Sequence, residues 1–196
     1  MRSEEKRTLE TTDAELVERV LLGETEVFGI LVRRWERPIY SLAVRMLGRD
    51  EDAYDICQET FLSAFRNLNS FRGEAKFSSW LYRIAINCCH SRLRKHSEKA
   101  NTSIDEQVEE HGLEPSDHRV DLHDELYRRE AADLVRKALA ALPPEMRQVI
   151  VMKEYEGLKF HEIADILGVP VSTVKTRLYT GLTYMRKRLE HVKDAL

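Results

Sequence analysis

Hydroxyl groups recur at helical spacing near the end of the chain, on one side of a predicted helix. The residues on this side are Ser172, Thr176, Tyr179, Thr180 and Thr183. Lys175 and Arg177 flank them. Small hydroxyl groups and an aromatic ring suit base edges in the major groove of DNA, and the flanking cations suit its phosphates. The pattern therefore predicts a helix that binds DNA.

A shorter helix precedes this one, and the sequence between them is typical of a tight turn. Gly168 stands where a helix ends in a left-handed residue, and Pro170 cannot continue that helix. Ser172 or Thr173 is predicted to cap the second helix. The predicted inward side of that helix consists of Val174, Leu178, Gly181, Leu182, Met185 and Leu189. These features predict a helix-turn-helix, and the alternative is an ordinary helical hairpin in an all-α core.

The charges of the chain are segregated along its length, although its 196 residues carry a formal net charge of only −3. Basic residues dominate the segment 66–95 and the last helix, whereas residues 98–125 are strongly acidic. Two basic segments on either side of an acidic one predict two DNA contacts joined by a connector. The connector either avoids or mimics DNA, or it is simply a soluble linker, and the sequence leaves both interpretations open.

The sequence predicts neither a membrane anchor nor a metal site. No apolar run approaches the roughly 20 residues that span a bilayer, and the N-terminus lacks the apolar core of a secretion signal. We therefore expect a cytoplasmic chain without stable membrane insertion. Cys57 has no Cys-x-x-Cys partner, and the consecutive Cys88, Cys89 and His90 cannot converge on one ion. We predict no metal, no cofactor and no catalytic residue.

Every periodic segment has the helical period, which predicts an all-α fold. We expect two small helical domains joined by a flexible acidic linker, with the helix-turn-helix in the C-terminal domain. The predicted boundaries are 12–96 for the first domain, 97–121 for the linker and 122–193 for the second domain. Helices are predicted over 13–22, 24–47, 52–68 and 77–96, and over 122–142 and 145–155 before the helix-turn-helix. Phe65 is predicted to face the core of the first domain.

Four segments in order resemble the extracytoplasmic-function (ECF) sigma factors, the smallest promoter-specificity subunits of bacterial RNA polymerase. They are Asp52-Ala-Tyr-Asp-Ile-Cys-Gln-Glu-Thr-Phe61, the run from Ser70-Phe-Arg-Gly to Ile-Asn87, Leu142-Pro-Pro-Glu-Met-Arg-Gln-Val-Ile150 and the helix-turn-helix. The resemblance covers nearly the whole chain. It implies a non-enzymatic protein that binds core RNA polymerase and recognises the −10 and −35 promoter elements. It also implies contacts with the clamp helices and the flap of the two large polymerase subunits.

Control by an anti-sigma factor is a further implication of the resemblance, and such a partner would hold the chain near the membrane. Polymerase binding is implied for Asp52, Asp55, Gln58 and Glu59, which we call the acidic stripe. The three carboxylates in it recur at three- and four-residue spacing, so they share one face of a helix.

The resemblance implies that single-stranded −10 DNA is captured by a pocket formed by Phe71, Ile84 and Asn87. An aromatic ring stacks on a flipped base, and an amide hydrogen-bonds to its edge. The loop from Arg72 to Lys76 would set the base preference. The candidates for phosphate contacts are Arg83, Arg92, Arg94 and Lys95.

Duplex −35 DNA is implied as the ligand of the last helix. The matching positions are Ser172, Thr173, Lys175, Thr176, Arg177, Tyr179 and Thr180. Many relatives carry Arg at the position of Thr180, so this chain lacks one charge-assisted contact there.

Two other classes of protein fit part of the sequence. A two-domain regulator would share the helix-turn-helix and bind duplex operator DNA as a symmetric dimer. A metal-dependent nuclease would need convergent carboxylates or histidines, whereas Asp52, Asp55 and Glu59 lie on one predicted helix without a histidine at metal spacing.

Overall fold

A computed structural model describes residues 11–73, 75–102 and 122–193, with side-chain burial for 11–73, 75–98 and 129–190. Within these ranges every regular element is a helix or a helical turn, which confirms the predicted all-α fold. The predicted linker lies outside the described residues from position 103 to position 121. In the part of the chain that is described, no helix is both long and apolar enough to cross a bilayer.

Four described helices build the first domain around one core. They are α1 (Asp13–Leu21), α2 (Phe28–Leu47), α3 (Asp50–Arg66) and α4 (Phe77–Thr102), with 3-10 turns at Thr25–Val27 and Leu68–Ser70. Helix α1 begins in a capping box, because the Glu15 amide donates to the Thr12 hydroxyl and the Thr12 amide donates to the Glu15 carboxylate. The indole of Trp35 donates to Asp13 over 2.9 Å and ties α1 to α2.

The core of the first domain follows from helical spacing. Leu31, Ile39, Leu42 and Met46 lie on one side of α2 and are fully buried. Helices α3 and α4 both pack on this side, and each fills it with its own buried residues. The outer faces of α3 and α4 are therefore left to carry the predicted binding residues.

The second domain contains the predicted helix-turn-helix. Its described helices are α5 (Leu122–Ala140), α6 (Pro144–Ile150), α7 (Phe160–Leu167) and α8 (Val171–Lys193), with a π-helical turn at Val151–Tyr155. Gly168 has φ +64° and ends α7 in the left-handed conformation, which favours glycine. Helix α8 begins at Val171, before the predicted caps Ser172 and Thr173. The carbonyl of Pro170 receives the amides of Thr173 and Val174, so Ser172 and Thr173 lie inside the first turn and do not cap it.

Several predicted helix ends differ from the observed ones. Helix α4 continues past His96 to Thr102, because residues 97–102 contain neither glycine nor proline and include the good helix formers Glu98, Lys99 and Ala100. Helix α3 runs from Asp50 to Arg66, where 52–68 was expected. The helix predicted over 145–155 gives way after Ile150 to the π-helical turn, in which the Glu156 amide donates to Val151 over 3.2 Å.

Two residues predicted to be in the core lie at its edge. Phe65 is 43% exposed and meets Phe28 edge to face, with ring centroids 5.1 Å apart. Leu182 is 38% exposed, whereas Val174 and Leu178 on the same helix are buried. A helical wheel places Leu182 about 80° from Val174, at the margin of the packed side. Both predictions were wrong, because the neighbouring helices cover a narrower side of each helix than the side on which its apolar residues lie.

The two domains are in contact. Helix α7 packs on α4, and α5 packs on α2. The Tyr82 hydroxyl donates to the Glu156 carboxylate over 2.9 Å, and the His90 ring lies 2.7 Å from the Gln148 side-chain oxygen. The guanidinium of Arg147 donates to the carbonyl of Met46. An apolar cavity of about 480 Å³ lies between α2 and α5 beside these contacts.

The packing of α6 on α8 leaves little room for a side chain at position 181. A Cβ atom there would lie 2.8 Å from Ile150 Cδ1 and 3.3 Å from Met146 Cβ. We therefore expect Gly181→Ala to lower the melting temperature, because overpacking costs about 1–3 kcal/mol and outweighs a gain of about 1 kcal/mol in helix propensity. Calorimetry of the full chain measures the shift.

Gly29→Ala is the matched control. Gly29 is also helical, and a Cβ atom there would have only an ordinary contact, 3.6 Å from the Arg33 guanidinium. This variant should be as stable as the unmodified chain or more stable by about 0.5–1 kcal/mol. Equal stabilisation by both substitutions would contradict the close approach of α6 and α8.

Candidate functional site

The acidic stripe lies along the outer face of α3. Asp55, Gln58 and Glu59 are exposed and border a shallow groove of about 440 Å³. The groove is lined by Asp55, Gln58, Glu59, Leu62, Ser63, Arg66 and Asn67. Leu62 is 55% exposed, so an apolar side chain continues the row of acids. This face offers negative charge and hydrophobic contact to a partner surface.

Asp52 differs from the rest of the acidic stripe, because its side chain is only 13% exposed. Its carboxylate binds Arg92 over 2.6 Å, and His96 Nε2 lies 3.4 Å away. Arg92 also contacts Asp55 over 3.3 Å. Arg92 is therefore held by acids of α3, and its assignment as a phosphate contact stays a prediction. Asp52 orients α4 against α3 more than it faces outward.

The −10 candidates lie around the start of α4. Phe71 is half-buried, and its ring centroid lies 5.3 Å from that of Trp80 and 6.0 Å from that of Phe77. This cluster fixes the ring of Phe71 while leaving part of it open. Ile84 is also half-buried. Asn87, one turn further along α4, is exposed.

Exposed cations share this face of α4. Arg83, Asn87 and Arg94 are exposed and follow one another at spacings of four and seven residues, so they line one face of the helix. Arg72 is exposed in the loop before α4. An amide between two arginines suits a nucleic-acid strand, because the arginines can hold phosphates on both sides of a recognised base.

Two cations assigned to −10 DNA, Arg83 and Lys76, contact the second domain. Arg83 Nε donates to the carbonyl of Ile166 over 3.0 Å, and another nitrogen of the same guanidinium donates to the carbonyl of Asp165. Lys76 Nζ lies 2.8 Å from a carboxylate oxygen of Glu162. Sequence analysis missed these contacts. Their partners are 82 to 86 residues away along the chain, and two of the three are backbone carbonyls, which leave no residue-type signal.

The −35 candidates lie on α8 as the pattern predicted. Ser172, Lys175, Thr176 and Tyr179 are exposed, and Tyr179 is exposed by 61%. The Thr176 hydroxyl donates to the carbonyl of Ser172 over 3.0 Å, which leaves its oxygen available as an acceptor. The remaining candidates are only half-exposed, and they are Thr173, Arg177 and Thr180. The first half of α8 therefore presents a polar face with one cation and one aromatic ring.

Lys175 is positioned by an aromatic side chain of α7. Its Nζ lies 5.6 Å from the centre of the Phe160 ring, and Lys153 Nζ approaches the same ring at 5.0 Å. A cation held over a ring keeps its charge and loses some freedom of motion. The ammonium of Lys175 is thus held close to the start of α7.

The three cysteines are half-buried or buried. Burial raises the pKa of Cys57 to about 11 and that of Cys89 to about 12, and it also raises the pKa of Cys88. These thiols stay protonated near neutral pH, whereas a sensing thiol needs a low pKa. Within the described residues, no group of three or more histidines, cysteines or acids is arranged to hold a metal ion.

Comparison with known proteins identifies the family of both domains. The Sigma-70 region 2 model matches residues 31–99, and the Sigma-70, region 4 model matches residues 132–185. The chain is 37% identical to the ECF RNA polymerase sigma factor SigW of Bacillus subtilis, over 88% of this chain and 94% of the relative. It is 35% identical to the RNA polymerase sigma-H factor of Pseudomonas aeruginosa, over 91% of this chain and 94% of that protein.

Solved structures show the same fold. The structure of CnrH in complex with the cytosolic domain of CnrY is 25% identical, covers 92% of this chain and 99% of its own, and has a TM-score of 0.66. The sigma factor RpoE in complex with the anti-sigma factor NepR from Bartonella quintana is 23% identical, covers 82% of this chain and 93% of its own, and has a TM-score of 0.64. With curated relatives matched along nearly their whole length, this chain belongs to the ECF sigma factors of bacterial RNA polymerase.

Proposed function

We propose that three surfaces of this chain divide the work of an ECF sigma factor. As a member of that family, the chain directs promoter-specific transcription initiation by RNA polymerase. One observation supports the division most strongly. The exposed face of α4, with Asn87 between two arginines, and the exposed face of α8, with Lys175 and Tyr179, belong to different domains of one chain. Two such faces suit two separate DNA elements.

The acidic stripe on α3 binds the clamp helices of the polymerase. Asp55, Gln58 and Glu59 make the contact, since they are exposed along one groove. Leu62 adds an apolar contact beside them. Charge complementarity of this kind sets the register and the rate of association more than the affinity. Asp52 has a positioning role through Arg92 and His96.

The face around Phe71, Ile84 and Asn87 captures one base of the −10 element from single-stranded DNA. Phe71 stacks on the base, and the amide of Asn87 reads its edge. The exposed side chains of Arg72, Arg83 and Arg94 bind phosphates, and Lys76 adds a fourth cation. Single-strand binding proteins combine the same two elements, which are aromatic stacking and a cationic track.

The first half of α8 enters the major groove of the −35 element. Ser172, Thr176 and Tyr179 face the base edges, and Lys175 binds a phosphate. Thr173 and Arg177 lie at the edge of this face, where their half-exposed side chains reach the backbone. Thr180 is also half-exposed, so its contribution is smaller than that of a fully exposed arginine.

The chain supplies specificity and carries out no chemical reaction itself. It acts in the cytoplasm on core polymerase, through the clamp helices and the flap. Control falls to an anti-sigma factor, because the structural neighbours were solved in complex with such a protein or with a cytosolic partner domain. A membrane-bound anti-sigma factor would keep the inactive chain close to the membrane.

Replacing Asn87 tests the base contact. We expect Asn87→Ala to reduce transcription from promoters of this sigma factor by roughly tenfold, because a hydrogen bond to the captured base is lost. Binding to core polymerase, measured by fluorescence anisotropy, should be unchanged. Gln58→Ala is the reciprocal control and should weaken binding to core. Equal loss of transcription and core binding in Asn87→Ala would remove Asn87 from the base pocket.

Replacing Lys175 tests the phosphate contact. For Lys175→Ala, the slope of log affinity against log salt for duplex −35 DNA should become shallower by about one unit. Lys187, about three turns further along α8, provides the control, and Lys187→Ala should leave the slope unchanged. A slope in Lys175→Ala equal to that of the unmodified chain would show that Lys175 does not bind a phosphate.

A further inference from the structure

The cavity between α2 and α5 has no role in the proposed function. Its volume is about 480 Å³, and ten residues line it. Helix α2 of the first domain supplies one wall, α5 of the second domain supplies another, and the π-helical turn adds Tyr155. Cavities of about 300–1,000 Å³ at contacts between domains are typical of small-molecule sites. The size and the position of this cavity therefore suit a small ligand.

The most buried residues of the lining are apolar. Val44 and Leu139 are buried, and Val135 beside them is half-buried. Ala131 and Ala132 are exposed, so they lie where the cavity meets solvent. Because each of these alanines carries a single methyl group, they leave room for a molecule to enter. A ligand inside the cavity would bury its apolar part against Val44 and Leu139.

The two charged residues of the described lining are both arginines. Arg45 and Arg136 are half-buried, and no described residue of the lining carries a carboxylate. Arg45 donates to the carbonyl of Ser41 over 3.0 Å, and its guanidinium lies 4.3 Å from the centre of the Tyr155 ring. A guanidinium has five N–H donors, so donors remain at its edge when its face is stacked on a ring. The cavity therefore favours a ligand with a negative charge.

Two carboxylates outside the lining offset only part of this charge. Asp133 pairs with Arg136 over 2.8 Å along α5, but Asp133 is exposed, and solvent weakens such a pair. Glu156 attracts Arg45 at longer range and already accepts the hydroxyl of Tyr82 over 2.9 Å. Both arginines therefore remain available to an anion in the cavity.

The dimensions of the cavity favour a small molecule over a protein. Ten residues line it, whereas a stable protein–protein interface takes about 20–30 residues on each side. Val44 and Leu139 are also buried between the helices, whereas a protein-binding patch presents its apolar side chains at the surface.

We propose that this cavity binds a small amphiphilic anion, with the apolar part of the ligand between α2 and α5 and its anionic group on Arg45 and Arg136. Because the walls come from both domains, the bound molecule contacts both and stabilises their contact. A ligand that binds only the folded chain raises its melting temperature. A ligand concentration ten times the Kd should raise it by about 3–6 °C.

Two fluorescent probes of nearly the same shape measure binding to the full chain. Anilinonaphthalene sulfonate carries an anionic group, whereas phenylnaphthylamine is its neutral counterpart. We expect the anionic probe to bind with a Kd on the order of 10 µM, as is typical for a ligand of about twenty non-hydrogen atoms. The neutral probe should bind about threefold to tenfold more weakly, because it cannot accept a charged hydrogen bond.

Ala132→Trp tests where the probes bind. A tryptophan at this exposed rim position fills the entrance, so both probes should lose about tenfold in affinity or more. Ala140→Trp is the matched control, because Ala140 is also exposed on α5 and does not line the cavity. Its affinities should equal those of the unmodified chain. Full retention of binding by Ala132→Trp would place the probes elsewhere and overturn the proposal.

Arg45→Met tests the recognition of charge. Methionine keeps an unbranched apolar side chain, so the affinity for the anionic probe should fall about threefold to tenfold while that for the neutral probe is unchanged. Arg136→Met should act in the same direction. Arg37→Met is the control and should change neither affinity, because Arg37 is exposed on α2 outside the cavity. Equal losses of both probes in Arg45→Met and in Arg136→Met would contradict binding of an anion.

A second copy of the chain is the alternative occupant of the cavity. Analytical ultracentrifugation of the unmodified chain should show a monomer with and without the anionic probe. A dimer that Ala132→Trp dissociates would assign the cavity to a second copy and overturn the proposal. Equal affinity of the unmodified chain for both probes, or no fluorescence change together with an unchanged melting temperature, would also overturn it.

Discussion

One buried arginine side chain links the two domains of this sigma factor at the centre of their contact. Arg147 is 7% exposed and donates to the carbonyls of Met46 in α2 and of Ala140 and Leu142 at the end of α5. Burial lowers its pKa, yet an arginine stays charged at neutral pH and so needs these acceptors. A hydrogen bond from a charged group contributes about 1.5–3 kcal/mol. Separation of the domains breaks the hydrogen bond between Arg147 and the carbonyl of Met46.

A second arginine repeats this chemistry in the opposite direction. Arg83 of the first domain donates to carbonyls near the end of α7, just as Arg147 of the second domain donates to the end of α2. The difference lies in exposure, because Arg147 is buried whereas Arg83 is exposed. A buried arginine suits a structural role, and an exposed one can exchange a carbonyl for a phosphate. This contrast is the physical basis for assigning Arg147 to packing and Arg83 to DNA.

The sequence predicted the helix-turn-helix well, because its signals are local. Gly168 readily adopts the left-handed conformation that ends α7, and Pro170, two residues later, cannot extend that helix. The helical periodicity of α8 places Lys175 and Tyr179 outward. Leu182 and Phe65 were misplaced because the width of a packed face depends on neighbouring helices. The pairing of Asp52 with Arg92, 40 residues away, and the contacts of Arg83 depend on tertiary structure alone. The roles of the site residues stay predictions.

The central claim is that one chain recognises two promoter elements with two domains. In vitro transcription of a genomic fragment library with core polymerase, followed by mapping of the start sites, tests it directly. The account predicts transcripts only when core and this chain are both present, with two short motifs at constant spacing upstream of every start. Start sites that share only one motif, or transcripts that are equal with and without the chain, would contradict it.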